Sequence, residues 1–190
     1  MKCIVCLGNP GKSYEKTRHN VGFLMGDALI SEWAVTGVKE KFHSLYYSTH
    51  RYGHDIYILK PLTFMNNSGQ AIREFVSFYK CDLADLIVVY DDIDLNYGVF
   101  RYRADGNAGT HNGLRSIIHE LGSSDIARLR IGIGPILPHY SLKDFVLQSF
   151  TKDEWSSMVS IRSACIDFFD TFFSVGEVDA MNKFNNKSFL

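Results

Sequence analysis

Cys3-Ile4-Val5-Cys6-Leu7 runs directly into Gly8-Asn9-Pro10-Gly11, and this junction decides the fold. Five apolar residues closed by a glycine- and proline-bearing turn read as a buried strand. The segment beyond the turn carries Val21, Leu24, Met25, Ala28 and Leu29 on one helical face. A strand, a polar loop and a helix in that order form the opening unit of an α/β protein.

The same alternation continues outward. Leu45 to Arg51 and Asp55 to Lys60 are β-rich and flank Tyr52-Gly53-His54, which predicts a hairpin. Pro61 to Gly69 is a polar loop, and Ser68 is the expected cap of a helix bearing Ala71, Ile72, Phe75, Val76 and Tyr79, which ends near Lys80. Leu86-Ile87-Val88-Val89-Tyr90 has the continuous apolar character of a central strand, with Asp91 and Asp92 at its C-terminal end. Gly98 to Arg103 and Ala127 to Gly134 read as strands either side of a helix from about Gly113 to Leu121, with Gly122 at its end. Thr151 and Glu154 form a capping box for a last helix, with Gly176 closing it. Trp155, Met158, Val159, Cys165, Ile166, Phe169, Phe172 and Phe173 make its apolar stripe, which reads as core packing. The expected architecture is a single-domain three-layer α/β sandwich over residues 1–190, with a central mixed sheet flanked by helices. Functional residues are expected at the C-terminal ends of the strands.

With 190 residues and 46% of them hydrophobic, the chain can bury one sizeable core. No run approaches the roughly 18 apolar residues of a membrane span, and no signal-peptide pattern follows Met1-Lys2, so a soluble, unexported protein is expected. Net charge is −1, so any nucleic-acid partner must be held by a local basic patch rather than by an overall field. Cys3, Cys6, Cys81 and Cys165 are too scattered for a disulfide framework, and Cys3-x-x-Cys6 lacks the second pair a zinc site needs. An offset of three along a strand points Cys3 and Cys6 to opposite faces, so all four read as buried thiols.

His19 is the natural general base, because a free imidazole accepts a proton near neutrality. Asp91 is its natural partner: a carboxylate on one ring nitrogen fixes the tautomer and stabilises the imidazolium. The bland reading of His19, and more so of His111, is a surface or helix-capping residue. No Gly-x-Ser-x-Gly elbow is present, so water is the simplest nucleophile. Asn9, Asn66 and Asn112 can each offer an amide to a carbonyl, a water or a hydroxyl, although turn and cap chemistry explains each one singly. Arg101 and Arg103 on one strand face, Arg115 on a helix, and Arg128 and Arg130 on another strand supply a modest basic inventory. Solvated or ion-paired arginines are its alternative.

Gly11-Lys12-Ser13 after a strand imitates a phosphate-binding loop, which makes a small nucleotide kinase the second reading. The spacing argues against it, since Cys6 stands where that motif needs glycine and Pro10 removes a backbone donor. A noncatalytic RNA-binding module is the third reading.

Several of these motifs together resemble the bacterial-type peptidyl-tRNA hydrolase family. They are Gly8-Asn9-Pro10-Gly11 with Tyr14, Thr17-Arg18-His19-Asn20 and Gly22, then Pro61-x-Thr63-Phe64-Met65-Asn66-x-Ser68-Gly69. Asp91-x-x-Asp94, Gly109-x-His111-Asn112-Gly113-Leu114, Arg128 to Gly134 and Ala180-Met181-Asn182-x-Phe184-Asn185 extend the likeness over essentially the whole chain. The resemblance implies hydrolysis of the ester between a peptide and the 3′ end of tRNA. His19 would take a proton from water, Asp91 would keep His19 basic, and Asn9 would help select N-blocked substrates. It further implies that Tyr14, Phe64, Asn66 and Asn112 contact the tRNA end and peptide, and that Arg101, Arg103, Arg115 and Arg130 are candidate phosphate contacts. A monomeric cytoplasmic enzyme working without cofactor or metal is the remaining implication. Thr110 stands where the family usually has glycine, and Asp105-Gly106-Asn107-Ala108 is less glycine-rich than typical. Pro135 to Leu142 does not align with the family's basic loop, so Lys143 is not assigned.

Overall fold

A computed structural model describes residues 1–136 and 140–190. The first strand, β1 (Lys2–Cys6), has four of its five residues buried. It lies between two parallel neighbours, β4 (His54–Pro61) and β5 (Leu86–Asn96). With β2 (Lys39–Lys41), β3 (Ser44–Arg51), β6 (Phe100–Arg103) and β7 (Ala127–Gly134) they form one seven-stranded mixed sheet, in the order β2-β3-β4-β1-β5-β7-β6. The parallel pairs occupy the centre, where both faces are covered, and this explains why Cys3 to Leu7 and Leu86 to Tyr90 read as unbroken apolar runs. Tyr52 and Gly53, both at positive φ, close the hairpin between β3 and β4.

The helices α1 (Val21–Glu32), α5 (Lys152–Ser174) and α6 (Glu177–Phe184) cover one face of the sheet. Their core includes Met25, Leu29, Ile161, Phe168 and Phe169. The helices α2 (Ser68–Tyr79) and α3 (Asn112–Leu121) cover the other, around Leu7, Ile72, Phe75, Leu114 and Ile117. A short α4 (Leu142–Leu147) packs near the loop that follows β1. Cys6 belongs to the first core and Cys3 to the second, as the strand alternation requires, and all four cysteines are free and buried.

Four local expectations need correction. Ser68 is the first residue of α2 rather than its cap, because a 3₁₀ turn over Met65–Asn67 precedes it and its hydroxyl donates back to the Met65 carbonyl. Asp91 and Asp92 lie inside β5, which continues to Asn96 through an irregularity opposite β7. The helix that Gly176 closes is not the last: α5 stops at Ser174, with Gly176 N–H on Thr171 O, and α6 follows at once. Val159 is 73% exposed, while Ile161, Ala164 and Phe168 fill the buried stripe of α5 in its place. The Thr151–Glu154 capping box is present as the sequence pattern predicts.

Candidate active site

The catalytic-looking histidine owes its place to a short 3₁₀ turn, Arg18–Asn20, wedged between β1 and α1. Asn20 clamps the preceding loop, since its Oδ1 accepts Asn9 N–H at 2.8 Å and its Nδ2 donates to Asn9 O at 2.9 Å. Arg18 is 4% exposed. Its guanidinium donates to both Glu154 oxygens and lies 4.5 Å from the Phe145 ring centre, which ties the turn to α5 and α4. Gly22 then starts α1 hard against the sheet. A Cβ there would sit 2.4 Å from Leu7 O and 2.5 Å from Val89 O, so only glycine allows this approach.

His19 Nδ1 lies 2.8 and 2.9 Å from the two carboxylate oxygens of Asp91, both side chains being buried. Strand alternation on β5 sends Asp91 to His19 and its neighbour Asp92 to the opposite face, where it pairs with Arg130. Burial opposes charge on His19, but the charge and hydrogen bond of Asp91 outweigh it, and the imidazole pKa is raised. Burial likewise pushes the Asp91 carboxyl upward, yet the neighbouring His19 and His111 overcome it and hold the group well below the usual carboxylate range. Nδ1 is thus committed to Asp91, and Nε2 is the ring nitrogen left for another partner.

His111 also reaches Asp91, with Nε2 at 3.0 Å from Oδ1. It caps α3 as well, its Nδ1 accepting the Leu114 N–H. The capping role anticipated for this residue type is real, but it uses only half of the ring. The sequence pattern gave His111 no task beyond a cap or surface position, and gave Asn20 none. The signal lay in their adjacency to Asn112 and His19.

Asn9, Tyr14, His19, Phe64, Asn66, Asp91 and Asn112 all line one cavity of about 940 Å³. The Asn9 side-chain oxygen Oδ1 accepts Met65 N–H at 2.8 Å, which leaves its Nδ2 hydrogens without a protein acceptor among the described residues. Asn66 and Asn112 are exposed at the cavity wall. Gly113 lets α3 approach closely, as a Cβ there would lie 2.5 Å from Met65 Sδ. Tyr14 and Phe64 meet edge to face at 6.1 Å, and Phe64, at φ 55°, presents a ring that is 52% exposed.

The arginines separate. Arg103, Arg115 and Arg130 line the cavity, as does Lys143 of α4. Arg101 stands outside it, bonded to Asn186. Arg128, counted above in the basic inventory, is 2% exposed. It donates to the carbonyls of Asn107, Ser124 and Ile126, so it fastens the 104–110 loop rather than meeting solvent. Of Pro135 to Leu142, residues 137–139 lie outside the described ones.

His19, Asp91 and His111 are residue types that bind metals, and their ligand atoms lie within 4.8 Å of one another. Both imidazoles, however, direct a nitrogen at the carboxylate itself, which is the pattern of shared protons. Lys12 is exposed and does not line the cavity.

A buried carboxylate bonded to two imidazoles, set near the C-terminal ends of parallel strands of an α/β sheet, is an arrangement chemically able to transfer a proton. Comparison with known proteins narrows this reading. The family model described as peptidyl-tRNA hydrolase matches residues 3–189. Peptidyl-tRNA hydrolase of Bacillus subtilis strain 168 is 42% identical over 187 residues, covering 98% of this chain and 100% of that protein. The Mycoplasma mycoides peptidyl-tRNA hydrolase is 41% identical over 191 residues, covering 100% and 96%. The crystal structure of the Acinetobacter baumannii peptidyl-tRNA hydrolase superposes with a TM-score of 0.89 at 33% identity, covering 100% of this chain and 97% of that one. The chain belongs to the peptidyl-tRNA hydrolase family.

Proposed function

We propose that this protein hydrolyses the ester joining a peptide to the 3′ end of tRNA, with water activated by His19. The observation that carries the reading is the buried His19–Asp91 pair opening onto a cavity lined with asparagine amides. Asp91 holds Nδ1–H, so Nε2 takes a proton from water as the water oxygen attacks the ester carbonyl. The C–O bond to the ribose then breaks, and the same proton passes to the departing ribose oxygen. A free carboxyl on the peptide and a free hydroxyl on the tRNA result.

The Nδ2 hydrogens of Asn9 suit the carbonyl of a blocked α-amine. An unblocked aminoacyl group would place an ammonium beside a donor in a partly dry site, which costs desolvation without compensation. Asn66 and Asn112 offer amides to the ester oxygens or ribose, and the exposed Phe64 ring with Tyr14 offers a surface for a terminal base. Arg103, Arg115 and Arg130 are the phosphate contacts this geometry favours, while Arg101 is the weakest of the four candidates. We place the protein in the cytoplasm as a monomer, with residues 1–190 acting as one domain without metal or cofactor. No helix among the described residues is long and apolar enough to cross a membrane.

The test is release of free tRNA from N-acetylated aminoacyl-tRNA beside the unblocked form, with a chelator present and no nucleotide. Cleavage of the blocked substrate alone is expected. Cleavage of neither, or of both equally, would overturn the reading. For the basic wall, Arg103→Ala should weaken tRNA binding and reduce the slope of log affinity against log salt by about one unit. An unchanged slope would remove Arg103 from the interface.

A further inference from the structure

Both ring nitrogens of His111 have fixed partners. Nδ1 lies 3.2 Å from the backbone N–H of Leu114, a group that can only donate, so Nδ1 is the unprotonated nitrogen. Nε2, 3.0 Å from Asp91 Oδ1, must then carry the hydrogen of that bond. The same oxygen receives His19 Nδ1 at 2.8 Å, and the two imidazole rings stand 5.1 Å apart. One buried carboxylate oxygen therefore serves two donors.

We propose, resting on the hydrolase reading above, that His111 is a positioning residue. Locked by the first turn of α3 as its Nε2–H tautomer, it shares Asp91 with His19 and sets how firmly Asp91 holds a proton there. The physical basis is competition. A neutral N–H donated to a carboxylate spreads part of its negative charge and weakens its pull on a neighbouring imidazolium. The same bond fixes the carboxylate rotamer, so that Asp91 faces His19 without searching.

Among the described residues, few other charges act on the pair. The elements packed most closely against the turn that carries His19 are α1, β5 and α4, and α5 reaches it through Glu154. The opening turn of α1, from Val21 to Leu24, is uncharged. Besides Asp91, β5 presents Asp92, which is occupied by Arg130, and Tyr90, whose ring lies 4.6 Å from that of His111. From α4 come Lys143 at the cavity wall and Asp144, which accepts from the Ser141 hydroxyl. Arg18, beside His19 in the chain, is occupied by Glu154.

The experiment is nitrogen-15 NMR on the whole protein. In wild type, long-range proton–nitrogen correlation should show the neutral ring of His111 with bare Nδ1 and protonated Nε2. The His19 ring is then titrated in wild type, His111→Gln and His111→Leu. Glutamine can supply a carbonyl to Leu114 N–H and an amide hydrogen to Asp91, whereas leucine supplies neither. The His19 midpoint should rise by about half a pH unit or more in His111→Leu and stay near the wild-type value in His111→Gln. A His111 protonated on Nδ1, or an unmoved His19 midpoint in folded His111→Leu, would overturn the proposal. Should the leucine variant unfold, His111→Phe replaces it in the same comparison, and the wild-type tautomer is decisive on its own. Neither readout needs turnover, so a protein that cleaves no peptidyl-tRNA would refute the hydrolase reading without touching this one.

Discussion

Replacing His19 by alanine is expected to lower turnover of N-acetylated aminoacyl-tRNA by about 10³-fold or more, with the fold retained. General-base catalysis contributes on the order of 10²–10⁴, and among the described residues no second base stands ready at the same place. His111 has one nitrogen spent on Leu114 and the other on Asp91. The ring of His19 is a modest part of the core, and the turn around it is held by Arg18, Asn20 and Gly22 rather than by the imidazole. Thermal unfolding should therefore shift little, and blocked aminoacyl-tRNA should still bind. Near-normal turnover by folded His19→Ala would exclude it as the base.

Asp91→Asn should lower turnover by roughly 10²-fold, less than the loss of the base itself, and should move the acid limb of the pH profile to lower pH. The magnitude follows from the second imidazole. His111 and His19 both donate to Oδ1, so the asparagine carbonyl has two donors to satisfy and the amide nitrogen takes the Oδ2 position. His19 then keeps its Nδ1–H tautomer and loses mainly the charge that stabilised its imidazolium. The direction follows from the balance at His19: without the carboxylate, burial alone remains, and burial disfavours the charged ring.

Stability should record the same exchange. The depressed carboxyl of Asp91 stabilises the fold above its unfolded value near ~3.9 and loses this as pH falls through its lower folded value. The raised imidazole of His19 stabilises the fold below its unfolded value near ~6.5 and loses this as pH rises through its higher folded value. The wild-type advantage over Asp91→Asn in denaturant midpoint should thus be greatest between about pH 4 and 6.5 and shrink at about pH 8. An advantage that does not vary over that range would show that the pair is not charged in the fold.

Most of the central architecture was legible in the sequence, because parallel strands buried on both faces tend to be written as apolar runs, and Cys3 to Leu7 and Leu86 to Tyr90 are so written, while Ala127 to Gly134 reads as a strand in spite of Arg128 and Arg130. Less visible was whatever depends on tertiary partners. The edge strand β2, Lys-Glu-Lys, has no apolar face to announce it, and its charges suit an unpaired sheet edge. The 3₁₀ turn at Arg18–Asn20 is set by the Asn9–Asn20 clamp and the Glu154 ion pair, both contacts between residues far apart or across a loop. The burial of Arg128 follows from carbonyls of Ser124 and Ile126 just before the strand and of Asn107 in a distant loop, which no strand pattern encodes. At the site, His19 and Asp91 could be paired by chemistry alone. The second histidine could not, since its contact with Asp91 depends on where α3 begins relative to β5.

The division of the four cysteines between two cores gives the protein a built-in pair of clocks. Cys3 and Cys81 belong to the core beneath α2 and α3, while Cys6 and Cys165, the latter carried by α5 itself, belong to the core between α1, α5 and the sheet. Burial pushes the Cys6 thiol up to about 12 and that of Cys81 to about 11, so neither offers thiolate at neutral pH while the fold is closed. An alkylating reagent would therefore label each pair only when its own helical layer lifts from the sheet. Comparing the two labelling rates would show which side of the molecule opens first, and whether a bound tRNA end slows one layer or both.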